Sequence, residues 1–312
     1  MTVLMKDDKH FPKLYRGSDA ASNAAQADHF KLQRAHLVCL VLASLAGAIA
    51  SGLQAPAKGV VSVIAVIFIL GALAIFWIIR SRRNDKTWFD CRAVAESVKT
   101  ATWRFVIGVP PFQRSLSNNE AEKAFIDELK DIRNARPGME IKMLGKIENI
   151  ADEITAEMRT VRKFGLATRK KIYLETRLIN QKNWYLNKAS FHKQEATYWV
   201  KAVVVLHILA VGLGIAYVTC LGWPLNPIPT IVAVAGALLT WTQSKRHDEL
   251  AQSYSMAGQE LVELKSLVDV KKSDKDFCEL VKQVEEACSR EHTMWCARRE
   301  VKVQVLNMAR KR

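Results

Sequence analysis

The sequence predicts an all-α integral membrane protein, with two transmembrane helical hairpins (four spans) whose long helical cytosolic extensions form a bundle. Three observations predict it. Of 312 residues, 49% are hydrophobic and 25% charged, yet the apolar residues are concentrated in two blocks, about 37–79 and 200–243. All eight prolines (Pro12, Pro56, Pro110, Pro111, Pro137, Pro224, Pro227 and Pro229) fall in turns or irregular segments, as long unbroken helices require. Basic residues gather outside the two blocks and nearly vanish from the turns within them.

The second block, Tyr198 to Gln243, organises the chain. Crossing a hydrocarbon core of roughly 30 Å takes about 20 apolar residues at about 1.5 Å each. The limb at about 200–222 meets that length. The returning limb, about 226–243, meets it only if Leu225 to Ile228 belong to it or the bilayer is thin. Trp199, Trp223 and Trp241 stand where interfacial aromatics stand. Backbone groups in lipid must satisfy one another, so both limbs are helices. The first hairpin pairs about 37–53 with about 60–79 through a turn holding Pro56 and Gly59.

Ser18 reads as the N-cap of the helix that enters the first limb. No Pro or Gly occurs from Ala72 to Ile107, which predicts that the second limb continues as one helix to about 107. Along it Trp88, Cys91, Ala95, Val98, Thr102 and Phe105 form a seam at alternating three and four spacing. Gly108, Pro110 and Pro111 end it. Ser117-Asn118-Asn119-Glu120 is a capping box opening a helix to about Asn134. Helix is expected again from Met139 to Phe164, with Gly165 a break, and then from Ala167 directly into the third limb. Beyond the fourth limb, a helix of about 245–270 carries the seam Leu250, Tyr254, Ala257, Leu261, Leu264 and Val268. A last helix, about 274–305, carries Phe277, Leu280, Val284, Cys288 and Trp295 on one side.

Lys31 and Arg34 precede the first limb, and Arg80, Arg82, Arg83 and Lys86 follow the second. The first turn holds only Lys58 and the second no charge, so both termini are expected in the cytoplasm. The net charge of +15 and pI of about 9.6 suit nucleic acid, anionic lipid or an anionic ligand. The positive-inside tendency supplies the same excess, and no aromatic-basic surface is legible, so nucleic acid is not expected as a partner. The first apolar run starts near Leu37 behind a long polar segment, unlike a signal peptide. The six cysteines form no paired framework and read as reduced thiols. Cys288, His292 and Cys296 lie four apart on one helical face but lack a fourth ligand, so no metal is expected. No Gly-rich phosphate loop, GxSxG, HExxH or CxxC occurs. Neither catalysis nor a cofactor is expected.

Sliding the chain by 164 residues superposes the hairpins, bringing Trp77 onto Trp241, Arg82 onto Arg246, Ala93 onto Ala257, Glu96 onto Glu260 and Val98 onto Val262. Three stretches resemble the SLATT family, bacterial two-helix membrane modules: NQKNWYLNKASFHKQEATYWVK, RHDELAQSYSMAGQELVELKSLVD and FCELVKQVEEACSREHTMWCARRE. The stretches FPKLYRGSDAASNAAQADHF and RAVAESVKTATWRFVIGVPPF resemble a second subfamily of it. The resemblance is most specific in Ser289-Arg290-Glu291-His292 with Trp295, and in Trp184-Tyr185 with Lys188-Ala189. It implies a tandem pair: a first module over 1–116, a helical linker over 117–145 and a second module over 146–312. It further implies a bacterial inner-membrane location beside nucleotide-generating or nucleotide-sensing components of conflict systems. The implied function is a pore-forming or membrane-disrupting antiphage effector. The lipid bilayer, a homo-oligomer, and a nucleotide second messenger or separate sensor protein are the implied partners. A non-conducting membrane scaffold that recruits or restrains a soluble partner is the alternative.

Within that frame the residues nominate three sites. His207, Gly236, Thr240 and Gln243 make a small and polar face in the membrane, for pore lining or helix packing. The Leu250 to Val268 seam is a candidate for assembly or packing within the chain. Arg80, Arg82, Arg83, Lys245 and Arg246 are candidates for anion binding.

Overall fold

A computed structural model describes residues 5, 7–136, 152–219, 225–268 and 273–289. Among these there are helices and no strands. After a short 3₁₀ turn at Asp8–His10 come α1 (Lys13–Ser51), α2 (Ala57–Arg82), α3 (Asn84–Ile107) and α4 (Asn118–Asn134). They are followed by α5 (Ala156–Lys163), α6 (Leu166–Tyr173), a π-helical turn (Leu174–Leu178), α7 (Ile179–Thr219), α8 (Ile228–Lys245) and α9 (His247–Ser266). A helical run over 274–289 is α10.

The capping box forms as its residues predict: the Ser117 hydroxyl accepts from Glu120 N, and the Glu120 carboxylate accepts from Ser117 N. Helix α1 begins earlier than Ser18. Pro12 immediately precedes it, and its first amides find distant acceptors, with Lys13 N donating to Asp152 O at 3.3 Å and Leu14 N to Glu153 Oε2 at 3.0 Å. Ser18 is instead buried inside the helix. Of the helix expected over 139–164, the described residues hold α5, which starts at Ala156 with the Thr155 side chain as its cap and ends at Lys163. Residues 137–151 lie outside the described part.

Helix α2 does not run on into α3. Arg83 takes the left-handed conformation (φ 47°, ψ 44°) and its N–H closes on Ile79 O; α3 starts at the next residue. The second half repeats this joint, with Arg246 (φ 54°, ψ 42°) closing on Thr242 O before α9. The left-handed conformation is unusual for a residue with a Cβ. The repeat register is therefore 163, pairing Arg83 with Arg246, one residue short of the offset read from the sequence. In that register the seams also align: Val94 with Ala257, Val98 with Leu261 and Phe105 with Val268, all six buried.

The chain divides into two compact units. One, the membrane unit, comprises Gln26–Asn84 and Ser190–Ala251. The other, the helical core unit, draws on Met1–Ala25, Asp85–Ala189 and Gln252–Arg312. In the membrane unit large apolar side chains point outward, Val63 and Ile67 at 59% and Ile208 at 65% exposure, while the buried positions within the apolar limbs are mostly alanine, among them Ala43, Ala46, Ala50, Ala72 and Ala235. This is the inverse of a water-soluble protein and the pattern of helices packed through small residues in lipid. Among the described residues three stretches are long and apolar enough to cross a membrane, their apolar windows lying in α1, α2 and α7. Helix α8, the expected fourth span, has 18 residues, about 27 Å of rise, and ends in Thr-Gln-Ser-Lys.

The core unit buries a continuous apolar cluster that includes Trp103, Phe105, Phe112, Phe125, Tyr173, Leu261 and Phe277. The periodic seams feed it: Cys91, Ala95, Val98 and Phe105 from α3, Ala257, Leu261 and Val268 from α9, and Phe277, Leu280, Val284 and Cys288 from α10. Gly108 (φ 84°) ends α3, and a Cβ there would meet Arg114 Cγ at 2.8 Å. At Gly258 a Cβ would meet Leu186 Cδ2 at 2.7 Å, so α7 and α9 approach closely where glycine stands.

Candidate functional site

In the membrane unit, Gly236, Thr240 and Gln243 lie exposed along α8, and a Cβ on Gly236 would meet nothing within 4 Å. This face is therefore not used for packing inside the chain. The Thr240 hydroxyl donates to Gly236 O at 2.8 Å, which satisfies it within its own helix. His207 on α7 is also exposed, with Nδ1 2.8 Å from Val203 O. Within the hairpin, Gly214 of α7 lies close to α8: a Cβ there would lie 3.5 Å from Ile228 Cδ1. Small and polar groups on α8 (Gly236, Thr240 and Gln243) and His207 on α7 thus face outward beside large exposed apolar side chains such as Val232, Ile208 and Tyr198.

The basic candidates separate into different roles. Arg80, Arg82 and Arg83 are exposed, and no ion pair holds them among the described residues. Arg246 is paired with Glu249 three residues on. Lys245 sits over the rings of Phe30 and Trp241. Just beyond it, His192 of α7 and His247 at the start of α9 bring their Nδ1 atoms to 2.9 Å. Burial pushes the His247 imidazole below its ordinary range, opposed by Glu195 and Asp248 and assisted by Lys245.

The core unit holds a charged centre. Glu285 of α10 is 1% exposed and Arg177, in the π-helical turn, 2%. Arg177 donates to both carboxylate oxygens, Nε to Oε1 at 2.9 Å and Nη2 to Oε2 at 2.7 Å. The Tyr173 hydroxyl donates to Oε1 at 2.9 Å, and Thr100 of α3 donates to Oε2 at 3.1 Å. Arg177 Nη1 reaches Gln181 Oε1 at 3.1 Å. Glu285 thus accepts four hydrogen bonds from three segments, two of them a bidentate charged pair. Burial alone would lower the Arg177 pKa, but the Glu285 carboxylate outweighs it and holds the guanidinium charged. Burial, with Glu285 beside it, pushes the Tyr173 phenol well up, and burial pushes the Cys288 thiol up to about 12. A cysteine so placed is inert.

Two further buried arginines bind backbone. Arg162 donates to Phe105 O at 2.6 Å and Phe112 O at 2.9 Å, and Arg169 donates to Ile107 O and pairs with Asp274 at 3.0 Å. Both satisfy carbonyls around the end of α3, where a helix leaves acceptors unpaired. Burial, with Arg114 and Arg169 nearby, lowers Arg162 to about 10.

The assembly-seam candidates are buried or half-buried in the chain: Ala257, Leu261 and Val268 belong to the core cluster, and Tyr254 and Leu264 pack against it. Leu250, at the membrane-unit end of the seam, is half-buried. Sequence reasoning missed the Arg177–Glu285 centre. Its one signal was Glu285 next to Val284 on the apolar side of the last helix. Among the described residues no group of three or more His, Cys, Asp or Glu could hold a metal ion. Trp223, Cys220, Glu291, His292, Trp295 and Cys296 lie outside the described residues.

Two family models match the chain in succession. Residues 12–170 match SMODS and SLOG-associating 2TM effector domain 3, and residues 173–295 match SMODS and SLOG-associating 2TM effector domain 1. No curated protein and no solved structure matches it. The charged centre straddles the two matches, Thr100 coming from the first and Tyr173, Arg177 and Glu285 from the second.

Proposed function

Because the chain belongs to the SMODS and SLOG-associating two-transmembrane effector (SLATT) family, with domains of two of its types in tandem, we propose that it is the membrane-acting effector of a bacterial conflict system. In this reading several copies assemble in the inner membrane, with all four hairpin limbs spanning it and both termini in the cytoplasm. A signal from a separate sensor or a nucleotide messenger opens an ion-conducting or membrane-disrupting pore, with no catalysis by the chain itself.

The observation that supports the reading is the outward exposure of Gly236, Thr240 and Gln243 along α8 and of His207 on α7. In a monomer these groups face lipid, an expensive neighbour for the imidazole of His207 within the apolar limb. Across a subunit contact they approach closely or line water. Four helices from one chain enclose little more than side chains, so conduction requires an oligomer. The scaffold alternative draws on the extent of the core unit, which offers a folded platform for a soluble partner.

Inducible expression with a membrane-potential dye, alone and together with neighbouring genes, tests the proposal. Depolarisation is expected with the trigger present, and Thr240→Leu is expected to diminish it. A chain that never depolarises the cell under any trigger, or that is a stable monomer in detergent, favours the scaffold.

A further inference from the structure

At the end of α8 two cations converge on one indole. Lys245 Nζ lies 3.5 Å from the ring centroid of Phe30 and 4.9 Å from that of Trp241. Those rings stand edge to face, 5.6 Å apart at 67°. The Arg34 guanidinium lies 5.8 Å from the same Trp241 ring. Helix α1 thus supplies Phe30 and Arg34, and α8 supplies Trp241 and Lys245. One turn in, Gln33 Nε2 donates to the Ser244 hydroxyl, which donates to Thr240 O at 2.9 Å, locking the two helices together. Gln33 Oε1 is left buried with no hydrogen-bond partner.

The charge here is only partly compensated, by Glu195 acting on Lys245 from beyond ion-pair distance. Among the described residues no carboxylate pairs with Arg34 or Lys245, and the only hydrogen bond from Arg34 is a long one, Nε to Phe30 O at 3.4 Å. Other basic residues of the unit either extend freely or, like Arg246, find a carboxylate within a turn. Holding two like charges over one ring costs electrostatic energy, which the ring faces offset only in part. An anion between them would remove that cost. The position selects the anion: α8 turns from apolar to polar at Thr240-Trp241-Thr242-Gln243, and a tryptophan at such a point sits at headgroup depth. Phosphate groups of lipids are the anions available at that depth, and basic pockets between spans are where they bind.

We propose that Arg34 and Lys245, oriented by Trp241 and Phe30, form a binding site for the phosphodiester of an anionic phospholipid. The inference rests on the membrane-spanning reading of α1 and α8 and is separate from pore formation.

Native mass spectrometry of the full chain in detergent tests it, with dioleoyl phosphatidylglycerol or dioleoyl phosphatidylcholine added. Wild type is expected to retain phosphatidylglycerol over phosphatidylcholine. Each basic contact near a membrane surface is worth roughly fivefold, so Arg34→Gln with Lys245→Gln is expected to lose about thirtyfold in retention. The pair Arg34→Lys with Lys245→Arg keeps the charge and is expected to keep the lipid, which guards against misfolding as the cause of loss. Lys123→Gln with Lys130→Gln, which removes the same charge from the exposed side of α4 in the core unit, is expected to leave retention unchanged. Undiminished retention in the double glutamine variant, or equal retention of the two lipids, overturns the site. Displacement of the lipid by millimolar inorganic phosphate or glycerol phosphate would make it a soluble-anion site and overturn the lipid assignment. Recovery of every variant from the membrane fraction, measured alongside, tells failure of the site apart from failure of the membrane reading.

Discussion

Replacing Glu285 by glutamine removes one charge and almost no volume from the core unit. The amide keeps one acceptor oxygen and turns an NH₂ toward groups that are themselves donors: Arg177, Tyr173 and Thr100. Arg177 is left as a cation at 2% exposure with no counter-charge. Breaking a buried pair from one side costs about 3–5 kcal/mol, most of it the stranded charge. In a unit of this size each kcal/mol moves the melting temperature about 2–4 °C, which gives a loss of roughly 6–20 °C for Glu285→Gln. The assay is thermal unfolding of the purified chain in detergent, followed by tryptophan fluorescence. Trp103 is a suitable reporter, being 1% exposed with its ring 5.6 Å from that of Tyr173. The double replacement Arg177→Met with Glu285→Leu strands no charge. It is expected to cost less than the single change, about 1 kcal/mol each for the acceptor lost by Tyr173 and Thr100. A Glu285→Gln protein that melts with wild type, or a double variant as unstable as the single one, would refute the argument that charge compensation holds this centre together.

Two more predictions follow from the geometry. Arg83→Gly and Arg246→Gly each relieve a left-handed residue at a helix end and are expected to stabilise by about 1 kcal/mol, read as a rise of roughly 2–4 °C in the same melt; a fall at either position would show that the arginine side chain outweighs its backbone cost. The raised Tyr173 pKa means that the folded state holds a proton the unfolded state releases at about pH 10. Stability is therefore complete below pH 10 and declines above it, and Tyr173→Phe is expected to flatten that decline.

Periodicity made much of this fold legible. The spacing of Cys91, Ala95, Val98 and Phe105 identified the buried side of α3, and that of Ala257, Leu261 and Val268 did the same for α9. The capping box at Ser117 was legible because its two hydrogen bonds are local. What escaped depends on segments far apart in sequence. The first turn of α1 is capped from Asp152 and Glu153, 139 residues away in the bond from Leu14 to Glu153. The break at Arg83 has no glycine or proline to announce it, since residues 72–107 hold neither and tertiary packing sets the joint. Glu285 and Arg177 were each unremarkable surface-type residues until folding placed them 2.7 Å apart.

The membrane face was legible in composition but not in direction. The sequence placed Gly236 and Thr240 on one side of α8 without showing what that side meets, because a small-and-polar stripe serves helix packing and a wet lumen alike. The open space around Gly236 removes packing within the chain and leaves lipid or a second copy. Lipid is a costlier neighbour for His207 than another subunit. The repeat sharpens the point: Arg83 and Arg246 turn the chain in the same way, yet Gly236 and Thr240 correspond on α2 to Leu73 and Trp77, large apolar side chains 52% and 64% exposed, and Gln243 to Arg80. The halves share a frame and differ in what they present. Any assembly contact built on the stripe belongs to the second hairpin, while the first presents an apolar face suited to lipid.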